Sequence, residues 1–308
     1  MDRRSVICGG VTIGAGLGVS KAAAQMATNK PAFLFIHGAW HGAWCWTSVL
    51  PYLAAAGHTA IAIDLPGYGL NTRFPKSYFK RPLDREAFAN ELSPISNVTI
   101  DHQVAAVSTA LDSLMSGGSP PVVLVGHSMG GMPITAVGEA MPQKIRKLVY
   151  LAAMMLPPGK TLLPYLTGPE SKDSLIGNLV MGVSETARAG RIDPRSTDPE
   201  YRVTMKEAFF GDVSGEQADA AINLLQPDYP VVNGPIMTTA QRWGSIPRSY
   251  ILTEQDKGVL PALQRRFIRE VDEALPASKT DVRPINTSHS PFLSRPAELA
   301  KILIELAV

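Results

Sequence analysis

Gly126-His127-Ser128-Met129-Gly130 sets a serine between two glycines. A serine hydroxyl is a weak nucleophile, so a site built on one must expose it and supply a base. The apolar run Val122-Val123-Leu124-Val125 leads into this motif, and a helix-compatible stretch follows it. Strand, tight turn and helix form the context that gives a G-x-S-x-G segment chemical meaning. The turn leaves no room for side chains two residues to either side, hence Gly126 and Gly130. It also strains Ser128 into an open position above a helix N-terminus. His127 is expected to point away from the reacting side and to serve packing.

In this arrangement the acid and then the histidine follow the serine along the chain. Of the six histidines only His289 lies beyond Ser128, in Thr287-Ser288-His289-Ser290 after the last expected strand. It is the candidate base. Two carboxylates, Glu254 and Asp256, follow the strand Ser249-Tyr250-Ile251-Leu252. Both qualify on position. Asp256 is favoured because it lies further into the loop, where a short carboxylate reaches the histidine and fixes its tautomer. The tetrahedral intermediate of acyl transfer needs two amide donors. One is the N–H of Met129, and the other is expected from Ala39 in His37-Gly38-Ala39-Trp40. Trp40 and His41 are candidates for shaping the substrate pocket. No C-x-x-C or H-E-x-x-H occurs, so neither metal nor cofactor is signalled.

These residues need a scaffold, and the order of elements supplies one. Apolar runs at Ala32–Ile36, Thr59–Ile63, Val122–Val125, Lys147–Ala152 and Ser249–Leu252, with a further strand expected near Thr280–Ile285, alternate with helical stretches. The helices are expected at Trp44–Ala56, from Thr99 to Met115, at Leu260–Ala274 and at Ala297–Leu306. Continuous apolar runs are strands buried on both faces, and the βα alternation predicts an α/β fold with a mostly parallel sheet covered by helices. The rhythm stops between 155 and 244, where no strand is evident. That block is expected to be an inserted helical cap over the C-terminal strand ends, between core segments 31–154 and 245–308. Open α/β sheets bind ligands at that edge. Its many apolar residues predict a pocket for a bulky or aromatic group.

The chain of 308 residues is 45% hydrophobic and carries a formal net charge of +2. It has no basic stripe and no apolar run long enough to span a bilayer, which argues against nucleic-acid binding and a membrane span. Residues 1–24 read as an address: Arg3-Arg4, a mild apolar stretch, Lys21 and Ala22-Ala23-Ala24 are similar to a twin-arginine export signal. Periplasmic or secreted location is therefore expected. Cleavage removes Cys8 and leaves Cys45 alone, so no internal disulfide is expected. The sequence admits an oligomer without specifying one.

Taken together, His37-Gly-Ala-Trp-His-Gly-Ala-Trp44, Asp64-Leu-Pro-Gly67, Gly126-His-Ser-Met-Gly130, Thr253-Glu-Gln-Asp256 and Ser288-His-Ser-Pro291 resemble one branch of the α/β-hydrolase fold. It holds plant methyl-salicylate-type esterases, plant hydroxynitrile lyases and bacterial carboxylesterases. The resemblance runs from about Pro31 to the C-terminus. It implies an α/β-hydrolase fold, Asp256 as the acid, and Ala39 and Met129 at the oxyanion hole. The plant lyases carry a threonine where Gly38 stands and a lysine where Ser290 stands; this chain has neither. The Arg73–Ile95 stretch is longer than in the plant enzymes. Dehalogenases and epoxide hydrolases of the same fold use an aspartate in place of Ser128. The expected substrate is a small-molecule carboxylic ester. A cofactor-free lyase, acyltransferase or perhydrolase on the same triad is the alternative.

Overall fold

The computed structural model describes residues 30–116, 119–182, 185–231 and 234–308. The expected export signal lies outside them. Six strands form one parallel sheet: β1 (Phe33–Ile36), β2 (Ala60–Ile63), β3 (Val122–His127), β4 (Ile145–Leu151), β7 (Arg248–Thr253) and β8 (Asp281–Ile285). Their spatial order is β2-β1-β3-β4-β7-β8. Two further strands, β5 (Ala189–Arg191) and β6 (Asp228–Pro230), make a separate antiparallel pair.

Alternation along each strand sends neighbouring side chains to opposite faces. Leu34, Ile36, Leu124, Leu148, Tyr150, Tyr250 and Leu252 join one core, with helices Ile100–Met115, Gly131–Ala140 and Pro261–Ala274. Phe33, Phe35, Val123, Val125, Val149, Leu151 and Ile251 join the other, with helices Leu50–Ala55 and Pro296–Leu306. Both faces are apolar because both are covered, which is why the inner strands read as unbroken hydrophobic runs, whereas the edge strand β8 is largely exposed. The result is an α/β-hydrolase fold with additional helical elements.

Three local expectations change. The stretch Trp44–Ala56 is not one helix: a 3₁₀ turn at Ala43–Trp46 precedes the helix Leu50–Ala55, which Pro51 starts and Gly57, at φ +80°, follows. The loop after β2 contains a helix, Arg85–Asn90, capped by the Asp84 carboxylate. The block between β4 and β7, expected to lack strands, holds β5 and β6. Each is three residues long, with Gly190 in one and Pro230 in the other, too short for a period to register. What fixes them is distant in sequence. Arg191 makes a two-pronged ion pair with Asp228, at 2.6 and 2.7 Å, buried from solvent. Its remaining donor reaches the carbonyls of Phe88 and Glu91.

Candidate active site

Ser128 follows β3 with φ +52°, a strained backbone for a residue with a β-carbon. The next residues turn directly into the helix Gly131–Ala140. The flanking glycines are dictated by contact. A β-carbon at Gly126 would stand 2.6 Å from the Gly130 carbonyl oxygen, and one at Gly130 would stand 2.6 Å from that of His37. Gly131 is equally constrained, at 2.2 Å from the Met154 carbonyl oxygen. A hydrogen bond from Met154 N–H to the Ser128 carbonyl, 2.9 Å, ties the turn to the strand beside it.

The loops after β7 and β8 are joined by their backbones. Glu254 N–H donates to Ile285 and Gln255 N–H donates to Thr287. Between them His289 Nδ1 donates to Asp256 Oδ2 at 2.7 Å, both side chains being excluded from solvent. Asp256 Oδ2 also accepts from Thr253 Oγ1 at 2.9 Å, and Oδ1 from the N–H groups of Gly258 and Val259 at 2.8 and 2.9 Å. With Nδ1 carrying the proton, Nε2 of His289 is left as the basic atom. Glu254 is exposed and takes no part in this network. Gln264 was not singled out by the sequence reading. It is fully buried, donates to Asp256 and to the Val259 carbonyl, and accepts from Thr253 N–H. Its signal was a polar residue on the apolar face that Leu263, Phe267 and Val271 define.

His127 donates from Nε2 to the His289 carbonyl at 3.0 Å and packs against its ring. It therefore supports the histidine loop from beneath. His37 accepts from Leu65 N–H at Nε2 and donates from Nδ1 to the Gly38 carbonyl, joining the loop after β1 to the Asp64-Leu-Pro-Gly67 turn. In that turn the Asp64 carboxylate accepts from Ala43 N–H at 2.7 Å. Burial holds His37 uncharged, with its pKa pushed down to about 4, and His41 likewise, to about 3. Burial acts on His127 in the same direction.

Ala39 and Met129 lie together at the walls of one small cavity, with Gly38 and Gly130. Trp40 and His41, expected to shape the pocket, are both buried in protein contacts. Trp40 has φ +60°, donates from its indole to the Gly190 carbonyl at 3.1 Å, and accepts at its own carbonyl from Gln226 N–H. It packs edge-on against Tyr229 and beside Phe209. His41 donates to the Ala39 carbonyl at 2.8 Å and lies among Trp44, Phe209 and Phe210. These contacts fasten the loop after β1 to the insert.

The insert also reaches both other loops. Asp212 accepts from the Ser288 hydroxyl, next to His289. Lys257, next to Asp256, pairs with Glu207 at 2.6 Å. Among the described residues no cluster of His, Cys, Asp and Glu could hold a metal ion, and no helix is long and apolar enough to cross a membrane.

The arrangement is similar to known proteins over nearly its whole length. The family model described as "Alpha/beta hydrolase family" matches residues 33–302. Methylesterase 18 of Arabidopsis thaliana is 30% identical over 286 residues, which cover 89% of this chain and 96% of that protein. A pheophorbidase of Raphanus sativus is 30% identical over 285 residues, covering 88% and 92%. Among solved structures, a pyrethroid hydrolase from Sphingobium faniae JZ-2 superposes with a TM-score of 0.68 at 25% identity, covering 90% of this chain and 97% of that one.

Proposed function

The chain belongs to the alpha/beta hydrolase family, and from that premise we propose that it hydrolyses a carboxylic ester through an acyl-enzyme on Ser128. A serine-hydrolase, esterase-type mechanism is the general chemistry that a serine at this position of the scaffold supports. The observation that carries the reading is the buried Asp256–His289 hydrogen bond, in loops that follow the nucleophile in the required chain order.

His289 Nε2 takes the proton of the Ser128 hydroxyl as Oγ attacks the ester carbonyl carbon. The oxygen that becomes anionic is held by the N–H groups of Ala39 and Met129, already fixed in place and so costing no reorganisation during reaction. Asp256 stabilises the imidazolium and keeps its orientation. Collapse of the intermediate breaks the ester C–O bond, and His289 gives its proton to the departing alcohol. A water then repeats the sequence, with His289 as its base and Ser128 as the leaving group, and the carboxylic acid is released.

Cyanohydrin cleavage on the same triad is less well supported. Cyanide release needs a cation beside the histidine, and Ser290 is an uncharged, fully buried hydroxyl. A side chain at Gly38 would collide with Ser128, its β-carbon standing 2.7 Å from that of the serine. We read the insert as a cap. Its buried Leu179, Phe209, Phe210 and Leu225 form an apolar layer against Ala39 and Trp40, which favours esters with a bulky or aromatic group. The test is a panel of aryl and alkyl esters assayed beside an aromatic cyanohydrin, with fluorophosphonate labelling of the protein. Ester turnover and labelling that both vanish in Ser128→Ala are expected. Cyanide release without ester turnover would overturn the assignment.

A further inference from the structure

We propose that Tyr68, Gln103 and Tyr229 form an acyl subsite for a neutral oxygen, a hydroxyl, ether or keto group, carried close to the ester carbonyl. The proposal rests on the ester-hydrolase reading and names the substrate class of that site.

The three side chains line the same cavity as Ala39, Met129 and Gly130. The walls from the two oxyanion-hole candidates place it where the acyl part of a substrate would lie. Its volume is about 10 Å³, room for about one oxygen-sized group. Gln103 is 5% exposed, in the first turn of the helix Ile100–Met115, whose other buried positions are Val107, Ala110 and Leu111. An amide on that face is costly unless something bonds it. Only its backbone is bonded, Gln103 N–H donating to Thr99. No protein partner is found for its side chain, or for the hydroxyls of Tyr68 and Tyr229, among the described residues.

The lining also selects against charge. Burial pushes the pKa of both phenols up, so they are neutral donors. His37 is uncharged near neutrality, and both of its ring nitrogens are already used. The nearby Asp228 carboxylate is taken up by Arg191. No lysine or arginine lines the cavity, so a carboxylate would meet no counter-charge there. Phenol O–H and amide N–H₂ groups instead suit a neutral acceptor oxygen, and the amide oxygen can accept from a hydroxyl.

The experiment compares 4-nitrophenyl methoxyacetate with 4-nitrophenyl butyrate, which differ by an ether oxygen in place of a methylene. The kcat/KM ratio of the two, divided by their ratio for hydroxide-catalysed hydrolysis, removes intrinsic reactivity. For the unmodified protein it should exceed one by about tenfold, the effect of one well-placed hydrogen bond. Tyr68→Phe and Gln103→Leu should each bring it towards one, with butyrate turnover kept. A corrected ratio near one in the unmodified protein overturns the subsite while leaving the hydrolase reading intact. Equal losses on both esters in the variants overturn it too, since they mark a structural role. If neither ester is turned over and fluorophosphonate does not label Ser128, it is the hydrolase reading that falls.

Discussion

A β-carbon on Gly38 would stand 2.7 Å from the β-carbon of Ser128, closer than two side chains can approach. The loop after β1 therefore runs against Ser128 itself, and in the proposed oxyanion hole only a glycine here would let the following N–H, that of Ala39, reach the reacting carbonyl. Gly38→Ala must push the loop away. The expected result is a fall in kcat of about 10²- to 10³-fold, the cost of one oxyanion donor, with circular dichroism unchanged. Activity within twofold of the parent would remove Ala39 from the oxyanion hole.

Ser128, His289 and Asp256 should act as one unit. Ser128→Ala and His289→Ala are each expected to lower kcat by about 10⁴-fold or more, and the double variant should be no worse than either. Asp256→Asn should be severe, because it permits the wrong histidine tautomer, whereas Glu254→Gln should be nearly silent. Steady-state kinetics on one activated ester decide it, and the reverse order for the two acids would refute the assignment.

Asp212 binds the Ser288 hydroxyl from the insert, so it should steady His289 without touching substrate. Asp212→Ala is expected to lower kcat several-fold with little change in KM. Asp212→Asn keeps an acceptor oxygen and should recover most of the loss. Combining Asp212→Ala with Ser288→Ala should add nothing further, since one hydrogen bond is removed in either case. Additive losses would separate the two residues.

Acid should unfold this protein through its buried histidines. Burial lowers His37 and His41 from the ordinary histidine pKa of 6.5 to about 4 and about 3. The unfolded chain thus binds more protons than the folded one below about pH 6.5, and stability falls as pH drops through that window, levelling off below the folded values. At 1.36 kcal/mol per pKa unit the two account for roughly 3 and 5 kcal/mol. The melting temperature should decline from pH 7 to pH 4, and His41→Gln should flatten the decline. A melting temperature independent of pH in this range would contradict the burial argument.

Residues 1–24 are proposed as a cleaved export signal on the strength of Arg3-Arg4 and Ala22-Ala23-Ala24. Expression with the full leader in a host with twin-arginine transport should yield a periplasmic product beginning near Gln25, read by N-terminal sequencing. An unprocessed cytosolic product would dismiss the idea.

Sequence alone determined the parallel core and singled out the candidates for nucleophile and base, because these depend on short-range rules. Continuous apolar strands follow from burial on both faces, and Gly126 and Gly130 from the sterics of one turn. His289 follows from being the only histidine beyond Ser128. What required tertiary structure was every feature set by groups far apart in the chain. The sequence favours Asp256 over Glu254 by its place further into the loop, but the contact itself is tertiary: the fold turns Asp256 towards His289 and leaves Glu254 exposed. Strands β5 and β6 carry no readable period, since the Arg191–Asp228 pair that fixes them joins residues 37 positions apart. The surroundings of Trp40 and His41, expected as pocket residues, are likewise tertiary: Gly190, Phe209 and Tyr229 stand around them. Gln103 and Gln264 do not stand out as letters; their burial, decided by packing from other elements, sets Gln264 on Asp256 and Gln103 at the wall of the small cavity.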